Sequence, residues 1–233
     1  MTERVPLPRG RWYGSRLDPL GISHRTLLRA MRFAREHARG ALLDIGCGIK
    51  PYHDIFQDRV TRYVGIEMPG TLSASAVVDV YASALRLPFA SAAFDTVLCN
   101  EVLEHVPEPS QLLREAARTL APGGCLILTA PMTWGLHEEP HDYFRYTPHG
   151  LRYLAEQAGL HVEHLAPTTG LWATMGQRLS SMIYYVHGKP AFVVWKGIVV
   201  LFCAALQLGA QFLDRLYQQR GDTLDNLLIA RKK

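Results

Sequence analysis

The sequence predicts an α/β fold in which helices cover both faces of a doubly wound, largely parallel sheet. Two observations carry this prediction. Short apolar segments typical of buried strands alternate along the chain with segments of helical periodicity. The first of these strands, 41–45, runs directly into a turn with Gly46 and Gly48, an arrangement typical of ligand sites at the carboxyl ends of parallel strands.

The elements follow one another in the order that such a sheet requires. A helix over about 24–39, with Ser23 as its N-cap and Gly40 at its end, precedes the first strand. The predicted strands are 41–45, 61–67, 76–80, 94–99, 124–130, 160–166 and 224–231, and the later helices are 109–120 and 147–158. A long apolar segment, 191–213, lies in a helical insertion over about 170–220.

The glycine turn narrows the class of ligand. The dinucleotide fingerprint G-x-G-x-x-G/A needs a small residue where this chain has Pro51, and the sequence contains no Walker loop, G-x-x-x-x-G-K-[ST]. What remains is the pattern D-x-G-x-G, formed by Asp44, Gly46 and Gly48. Because neither glycine has a Cβ, a ligand can approach this backbone closely.

Further sequence blocks follow the turn at regular intervals, namely 63–67, 87–89, 94–97, 101–106 and 120–124. In sequence, order and spacing these blocks resemble the class I S-adenosylmethionine-dependent methyltransferases of the small-molecule branch, over roughly residues 40–165. The resemblance implies a Rossmann-like seven-stranded sheet, mostly parallel with an antiparallel last strand. It also implies S-adenosylmethionine as the methyl donor.

The resemblance assigns cofactor roles to residues around the turn. Backbone N–H groups of Gly46, Cys47 and Gly48, together with the N-terminus of the next helix, would take the carboxylate of the donor. Asp44 would anchor its amino-acid end. Glu67 would accept hydrogen bonds from both ribose hydroxyls, although a strand-end acid also occurs without a ligand.

The adenine end departs from the family pattern. Met68 is expected to pack on the adenine, and Ala84 to flank it with Leu85. The family often has an aspartate at the position of Ser83, so the adenine amino group would be bound by this serine, by Asp79 or by a backbone carbonyl. Asn100, after the fourth strand, would face the methionine moiety and the substrate.

The segment 131–145 follows the fifth strand and is expected to line the acceptor pocket with Trp134, Tyr143 and Arg145, together with Glu101 and His105. Two histidines of this segment, His137 and His141, are candidates for the general base, and His105 is either structural or catalytic. An ion pair between Asp142 and Arg145 is the alternative role of those two residues.

Residues 137–141 formally match the zinc-protease pattern H-E-x-x-H, which needs both histidines on one face of a helix. Pro140 opposes a helix there, at a cost of ~3 kcal/mol. No third ligand is evident either, and the sequence therefore predicts no metal site.

The charge distribution and the cysteine content indicate possible partners of the chain and its cellular compartment. Nine arginines stand against three acids in residues 1–40, so this basic arm carries a charge of +6 within a chain of net charge +4. It either meets anionic groups or is a solvated helix face. The four unpaired-looking cysteines and the lack of a secretory signal predict a cytoplasmic protein.

The insertion predicts a contact with membrane or with a second chain. Its uninterrupted apolar run covers only 197–206, which is shorter than the ~18 residues of a membrane span. Lys196, Gln207, Gln211 and Asp214 share one narrow stripe in a helical projection. This pattern suits a helix at the inner membrane surface, a homodimer contact through 191–213, or packing on its own domain, and a true span is the less favoured alternative.

The predicted domain organisation is therefore a basic arm and lid helix (1–40), a methyltransferase domain (41–169 and 221–233) and the helical insertion (170–220). The leading function is methyl transfer to a small or lipid-like acceptor, with oxygen as the favoured atom. The alternatives are a glycan or lipid-linked saccharide methyltransferase at the membrane surface and a non-catalytic partner protein. The N-P-P-[YF] motif of base-methylating enzymes is missing after the fourth strand, and nucleic acid is not an expected partner.

Overall fold

The computed structural model describes residues 14–70, 77–187, 193–217 and 221–233. The chain divides into two compact units. The sheet unit comprises 30–132, 136–166 and 225–233, and the helical unit comprises 1–29, 133–135 and 167–224. Residues 1–13 of the predicted basic arm (1–40) lie outside the described residues, which begin at Gly14.

The sheet unit is built on one seven-stranded sheet. Its strands are β1 (Ala41–Ile45), β2 (Arg62–Glu67), β3 (Val80–Tyr81), β4 (Phe94–Asn100), β5 (Leu120–Pro131), β6 (Leu160–Pro167) and β7 (Asp225–Lys232). The order is β3-β2-β1-β4-β5-β7-β6, with parallel pairing from β3 through β5 and antiparallel pairing of β7 with β5. The predicted fold class is confirmed.

Helices connect these strands. They are α1 (Gly21–Ala34), α2 (His53–Phe56), α3 (Pro109–Thr119), α4 (Pro148–Gln157), α5 (Leu171–His187) and α6 (Val193–Leu216). Short 3₁₀ turns cover Arg35–His37 and Leu103–His105. The Thr147 hydroxyl caps α4 by accepting from the backbone N–H of Gly150.

The predicted start of α1 is wrong. The helix begins at Gly21, so Ser23 lies inside its first turn and is not an N-cap. The side-chain oxygen of Gln177 accepts the backbone N–H groups of Ile22 and Ser23, at 2.9 and 3.2 Å. Because residues distant in sequence satisfy these helix-end donors, local sequence gives no signal for the cap.

The core of the sheet unit explains why the sequences of β1, β4 and β5 contain continuous runs of apolar residues. Both faces of these central strands are covered, and Leu43, Val97 and Leu126 are fully buried. The amphipathic helix α3 contributes Leu112 and Leu113 to the same core. The rigid centre of the sheet brings the ends of β1, β2 and β4 to one edge, where the candidate site residues follow.

The predicted helical insertion is two helices, α5 and α6, which pack against each other. The buried positions of the pair include Gln177, Ser180 and Gln207, whereas large apolar side chains such as Phe202 are exposed. The polarity of these helices is thus reversed relative to an ordinary soluble helix pair.

Candidate cofactor and acceptor site

The glycine turn after β1 has the backbone that the sequence predicted. Gly46 and Gly48 adopt φ angles of 68° and 50°, in the region that favours glycine. A Cβ on Gly46 would lie 2.4 Å from a methyl group of Val102, so this position also lacks room for a side chain. The backbone N–H of Cys47 donates to the carbonyl of Ile66 at 2.9 Å and ties the turn to β2.

Glu67 connects the end of β2 to the turn. Its carboxylate accepts the backbone N–H of Gly48 at 3.0 Å and the N–H of Met68 at 2.9 Å. A carboxylate has about four acceptor positions, so two such bonds leave capacity for ligand hydroxyls. The arrangement fixes the carboxylate beside the turn, where the resemblance expects the ribose.

Only the four-residue helix α2, which begins at His53, follows the turn. It is too short for the predicted contribution of a helix N-terminus to anion binding. The backbone N–H groups of Cys47 and Gly48, which were also predicted to take the donor carboxylate, donate to Ile66 and Glu67 in this structure. Burial raises the pKa of the Cys47 thiol to about 12, so this side chain remains a neutral thiol.

Asp44 lies at the base of the turn and is buried. The phenol of Tyr63 donates to its carboxylate at 2.6 Å. Burial raises the pKa of Asp44 to about 7, against the lowering effects of Tyr63 and Lys50. Sequence reasoning missed Tyr63, although the register that pairs Tyr63 with Leu42 and Gly65 with Asp44 places Tyr63 on the same face of the sheet as Asp44.

The adenine end is open. Met68 is 58% exposed, Ser83 is exposed, and Ala84 is half-buried. The Ser83 hydroxyl accepts the backbone N–H of Leu85 at 3.2 Å and shapes a local turn. Asp79, the alternative partner of the adenine amino group, accepts from Lys50 at 2.5 Å and from the N–H of Gly65 at 2.6 Å.

A cluster of carboxyl groups lies at the carboxyl end of β4. Burial raises the pKa of Glu101 well above its ordinary value, and the neighbouring carboxyls of Asp225 and Glu104 add to the rise. Burial likewise raises the pKa of Glu104 to about 8. Asn100 accepts the Thr129 hydroxyl at 2.9 Å beside this cluster. Sequence reasoning missed Glu104 and Asp225.

The segment 137–141 is not helical, so the geometry that the H-E-x-x-H pattern needs is not formed. Asp142 instead organises the segment. It forms a bidentate pair with Arg145 at 2.7 and 2.8 Å and accepts the backbone N–H of His137 at 2.9 Å. Despite burial, these bonds lower the pKa of Asp142 to about 2.

Three predicted acceptor-side histidines lie near one another. The rings of His105 and His137 meet edge to face with centroids 4.6 Å apart. Nδ1 of His105 lies 2.8 Å from the backbone carbonyl of His141, and the His141 ring contacts the Tyr143 hydroxyl at 3.2 Å. The sheet unit therefore brings together the predicted pair His137 and His141 with His105 and Tyr143.

Trp134 belongs to the helical unit, where the guanidinium of Arg178 lies 5.6 Å from the centre of its ring. Arg145 is held by Asp142 in the sheet unit. The two residues thus have defined partners, and their predicted roles toward an acceptor stay predictions.

Comparisons with known proteins agree with this geometry. A family model described as a methyltransferase domain matches residues 43–128. An uncharacterised methyltransferase of Mycobacterium leprae is 40% identical over 96 residues, which cover 38% of this chain and 36% of the relative. A counterpart from Mycobacterium avium is 40% identical over 103 residues, 40% of this chain and 41% of that protein.

The matched residues contain the turn, Glu67 and the blocks after β4. Residues 43–128 form a class I S-adenosylmethionine-dependent methyltransferase domain. The predicted family is confirmed. The aligned segment spans well under two thirds of these mycobacterial relatives, so it is the methyltransferase domain that is shared.

Solved structures share the fold of the methyltransferase domain and its surroundings. The [4+2]-cyclase SpnF superposes with a TM-score of 0.59 at 20% identity, over 90% of this chain and 82% of that chain. A structure described as a putative sarcosine dimethylglycine methyltransferase from Galdieria sulphuraria gives 0.56 at 15% identity, over 91% and 85%. Because the first of these is described as a cyclase, the fold by itself does not define the reaction.

The residues of the methyltransferase domain fit its donor. The turn has a glycine backbone with positive φ angles, Glu67 is oriented beside it with spare acceptor capacity, and the adenine end is open. Asp44, Gly46, Cys47, Gly48, Glu67, Met68, Ser83, Ala84 and Asn100 remain the residues predicted to hold S-adenosylmethionine.

Proposed function

We propose that this chain methylates a lipid-like acceptor at a membrane surface, with S-adenosylmethionine as the donor. The methyltransferase domain supports the reaction class. The observation that carries the acceptor class is the reversed polarity of α5 and α6 in the helical unit. A small water-soluble acceptor would need no such helices.

Polar side chains of α5 and α6 face the protein. Gln207, near the middle of α6, is 1% exposed and donates to the backbone carbonyls of Asp18 and Pro19 at 2.9 Å. Gln177 of α5 donates to Pro19 at 2.9 Å, and the Ser180 hydroxyl donates to the same carbonyl at 2.8 Å. The buried side chains of Gln177, Ser180 and Gln207 are thus satisfied within the helical unit.

Apolar side chains of both helices face outward. On α5 the exposed residues are Met175, Leu179, Met182, Tyr185 and Val186, and on α6 they are Trp195, Ile198, Leu201, Phe202, Leu208, Phe212 and Leu216. Most of them are three or four residues from the next, which places them along one face of each helix. Exposed apolar patches of this extent mark interaction surfaces.

The inner contact between the two helices resembles helix packing in lipid. A Cβ on Gly176 would lie 2.3 Å from the Cβ of Ala210, so the backbones approach closely there. The Cys203 thiol contacts the backbone carbonyl of Ser180 at 3.5 Å. Small residues and buried polar bonds inside, with large apolar residues outside, are typical of helices in a membrane. We therefore favour lipid over a second chain as the partner of this surface.

Within the described residues, Trp195–Leu216 is long and apolar enough to cross a membrane. Its contacts favour an interfacial position instead. Gln207 holds the segment that carries Asp18, whose carboxylate lies 2.6 Å from Nδ1 of His24. A spanning α6 would draw this carboxylate toward the bilayer centre, which is costly. Exposed Trp195, Lys196 and Tyr217 near the two ends suit a helix pair in the headgroup region.

Oxygen is the favoured acceptor atom. When bound, S-adenosylmethionine supplies an activated methyl group for in-line displacement by a nucleophile. The residues of this chain would align the acceptor, exclude water and remove its proton. His141 and His137 are the candidates for that base, because a histidine exchanges protons near neutral pH.

Vesicle flotation tests the membrane contact. The wild-type chain should float with vesicles of phosphatidylglycerol and phosphatidylcholine. The double variant Leu201→Asp, Phe202→Asp should bind at least about tenfold less, because it places two charges on the exposed stripe. Tyr153→Asp, an exposed apolar position on α4, is the control and should behave as wild type. A folded wild-type dimer that ignores vesicles would instead favour the chain-to-chain contact.

Label transfer tests the acceptor class. Tritium-labelled S-adenosylmethionine is incubated with the chain and a total bacterial lipid extract, and label is counted in the organic and aqueous phases. We expect enzyme-dependent label in the organic phase. Label confined to water-soluble products would contradict a lipid-like acceptor. A lipid-linked saccharide would give organic-phase label that mild acid releases into water.

A further inference from the structure

Glu104 is a buried carboxylate without a matching donor. Its side chain is 0% exposed, and neither oxygen has a hydrogen-bond partner within the described part of the chain. Leaving a buried carboxylate unmatched is costly, and such groups in proteins are normally paired or coordinate a metal. Two potential ligand side chains near it are those of His105 and His137, which lie on separate segments of the sheet unit.

His105 is oriented with one ring nitrogen toward Glu104. Its Nδ1 lies 2.8 Å from the backbone carbonyl of His141, an arrangement in which Nδ1–H donates to that carbonyl. This tautomer leaves the lone pair on Nε2, which is 3.7 Å from the nearer oxygen of Glu104. A histidine that ligates a metal through one nitrogen commonly donates from the other to a carbonyl or carboxylate.

His137 lies beside a buried carboxylate. Its Nδ1 is 3.3 Å from Asp142, whose side chain is 1% exposed and is fixed by the bidentate pair with Arg145. The same carboxylate oxygen accepts the backbone N–H of His137 at 2.9 Å. Asp142 thus fixes the backbone of His137 and lies against its ring.

We propose that Glu104, His105 and His137 form a site for a divalent transition-metal ion of the zinc type. One ligand atom from each residue lies within 4.8 Å of the other two. Ligands of tetrahedral zinc at about 2.0–2.1 Å from the ion are roughly 3.3 Å apart, so contraction of the longest separation by about 1.5 Å or less completes the site. Two histidines and one glutamate leave a fourth position for water or a ligand atom.

The site does not use the H-E-x-x-H pattern that sequence reasoning set aside. His137 is its only member from that pattern, and the other two ligands follow β4. The ion would link the segment after β4 to the segment after β5. Its open position would suit a hydroxyl group, whose pKa an ion of this kind lowers. With His137 bound to the ion, the role of base would fall to His141.

Zinc titration tests the proposal without donor or acceptor, and its outcome is therefore independent of the proposed function. Tag-free protein is stripped with a chelator, exchanged into buffer and titrated with Zn²⁺ alone by calorimetry. We expect one ion per chain. His105→Ala, His137→Ala and Glu104→Gln should each weaken binding at least about a hundredfold, and Asp142→Asn about 10–100-fold through the orientation of His137. His149→Ala, an exposed histidine on α4, should bind as wild type.

Thermal melting with and without Zn²⁺ provides a second measurement in case an alanine variant fails to fold. Zinc should raise the melting temperature of the wild type and of His149→Ala, but not that of Glu104→Gln, which preserves the shape of the buried side chain. The proposal is overturned if the wild type binds no stoichiometric zinc. It is equally overturned if the three ligand variants retain wild-type affinity, because the ion would then be bound elsewhere.

Discussion

The carboxylate of Glu67 accepts the backbone N–H of Gly48 at 3.0 Å. This bond joins the ends of β2 and β1, the two strands that carry the acidic group and the glycine turn. It places the carboxylate before any ligand is present, so little ordering is required on binding. The donor site of the methyltransferase domain therefore depends on the exact backbone of the turn as well as on the side chain of Glu67.

The turn should not tolerate a side chain at Gly46. We expect Gly46→Ala to destabilise the fold by about 2–4 kcal/mol, because it combines a positive φ with a 2.4 Å approach to Val102. Gly70→Ala is the control for φ alone, since Gly70 has a φ of 84° and no described residue lies within 4 Å of an added Cβ. Urea denaturation gives both values. Val102→Ala in the Gly46→Ala background should recover part of the loss, and equal losses at Gly46 and Gly70 would contradict the steric argument.

Asp44 should make stability depend on pH. Its pKa is raised from the ordinary value of 3.8 to about 7 in the folded chain. Between these two pH values the folded state therefore holds a proton that the unfolded state has lost. The stabilising contribution is complete below about pH 4 and is lost as the pH rises through about 7. Its upper bound is about 4 kcal/mol, at ~1.4 kcal/mol per pKa unit.

Asp44→Asn removes this titration while keeping an oxygen that can accept from Tyr63. The difference in unfolding free energy between Asp44→Asn and wild type should therefore shift in favour of the variant between about pH 5 and pH 8. Denaturation at the two pH values measures it. A difference that does not change with pH would mean that Asp44 does not titrate in this range.

The inward polarity of α6 predicts a contrast between two glutamines on the same helix. Gln207→Leu should destabilise the fold by about 2–3 kcal/mol, because its amide donates to Asp18, Pro19 and the Ser180 hydroxyl in a buried position. Gln211→Leu, at a half-buried position, should change stability by less than about 1 kcal/mol. Thermal and urea unfolding compare the pair, and a reversed order would mean that the polar stripe faces solvent.

His141 is predicted to affect turnover more than donor binding. His141→Ala should lower turnover at least about tenfold, as expected for a general base, with little change in the affinity for S-adenosylmethionine. His149→Ala should leave both unchanged. Label transfer and calorimetry provide the two readouts. Unchanged turnover in His141→Ala would exclude it as the base.

Sequence patterns were sufficient for the parts of the fold that local and periodic signals define. The strands 61–67 and 94–99 were predicted within one residue, because buried parallel strands are short apolar runs bounded by polar residues. The turn at Gly46 and Gly48 was predicted because positive φ angles favour glycine. Both predictions depend on interactions close in sequence.

What the sequence could not supply depends on distant contacts. The start of α1 is determined by Gln177, 155 residues away from Ile22. The state of Asp44 depends on Tyr63, and the orphaned carboxylate of Glu104 is visible only once β4 and the segment after β5 are placed side by side. The polar stripe of α6 was predicted from the sequence. Which side of the helix faces the protein follows only from the contacts of Gln207 with Ser180 of α5 and with Asp18 and Pro19 before α1.

Binding of S-adenosylmethionine measured by calorimetry tests the central claim most directly. The wild type should bind one molecule per chain, and Glu67→Ala should weaken the affinity about 10–100-fold, which corresponds to the ~1.5–3 kcal/mol of hydrogen bonds to a charged group. Glu156→Ala, an exposed acid on α4, should match the wild type. Folded wild-type protein that does not bind S-adenosylmethionine, or a Glu67→Ala variant with unchanged affinity, would contradict the donor site described for this chain.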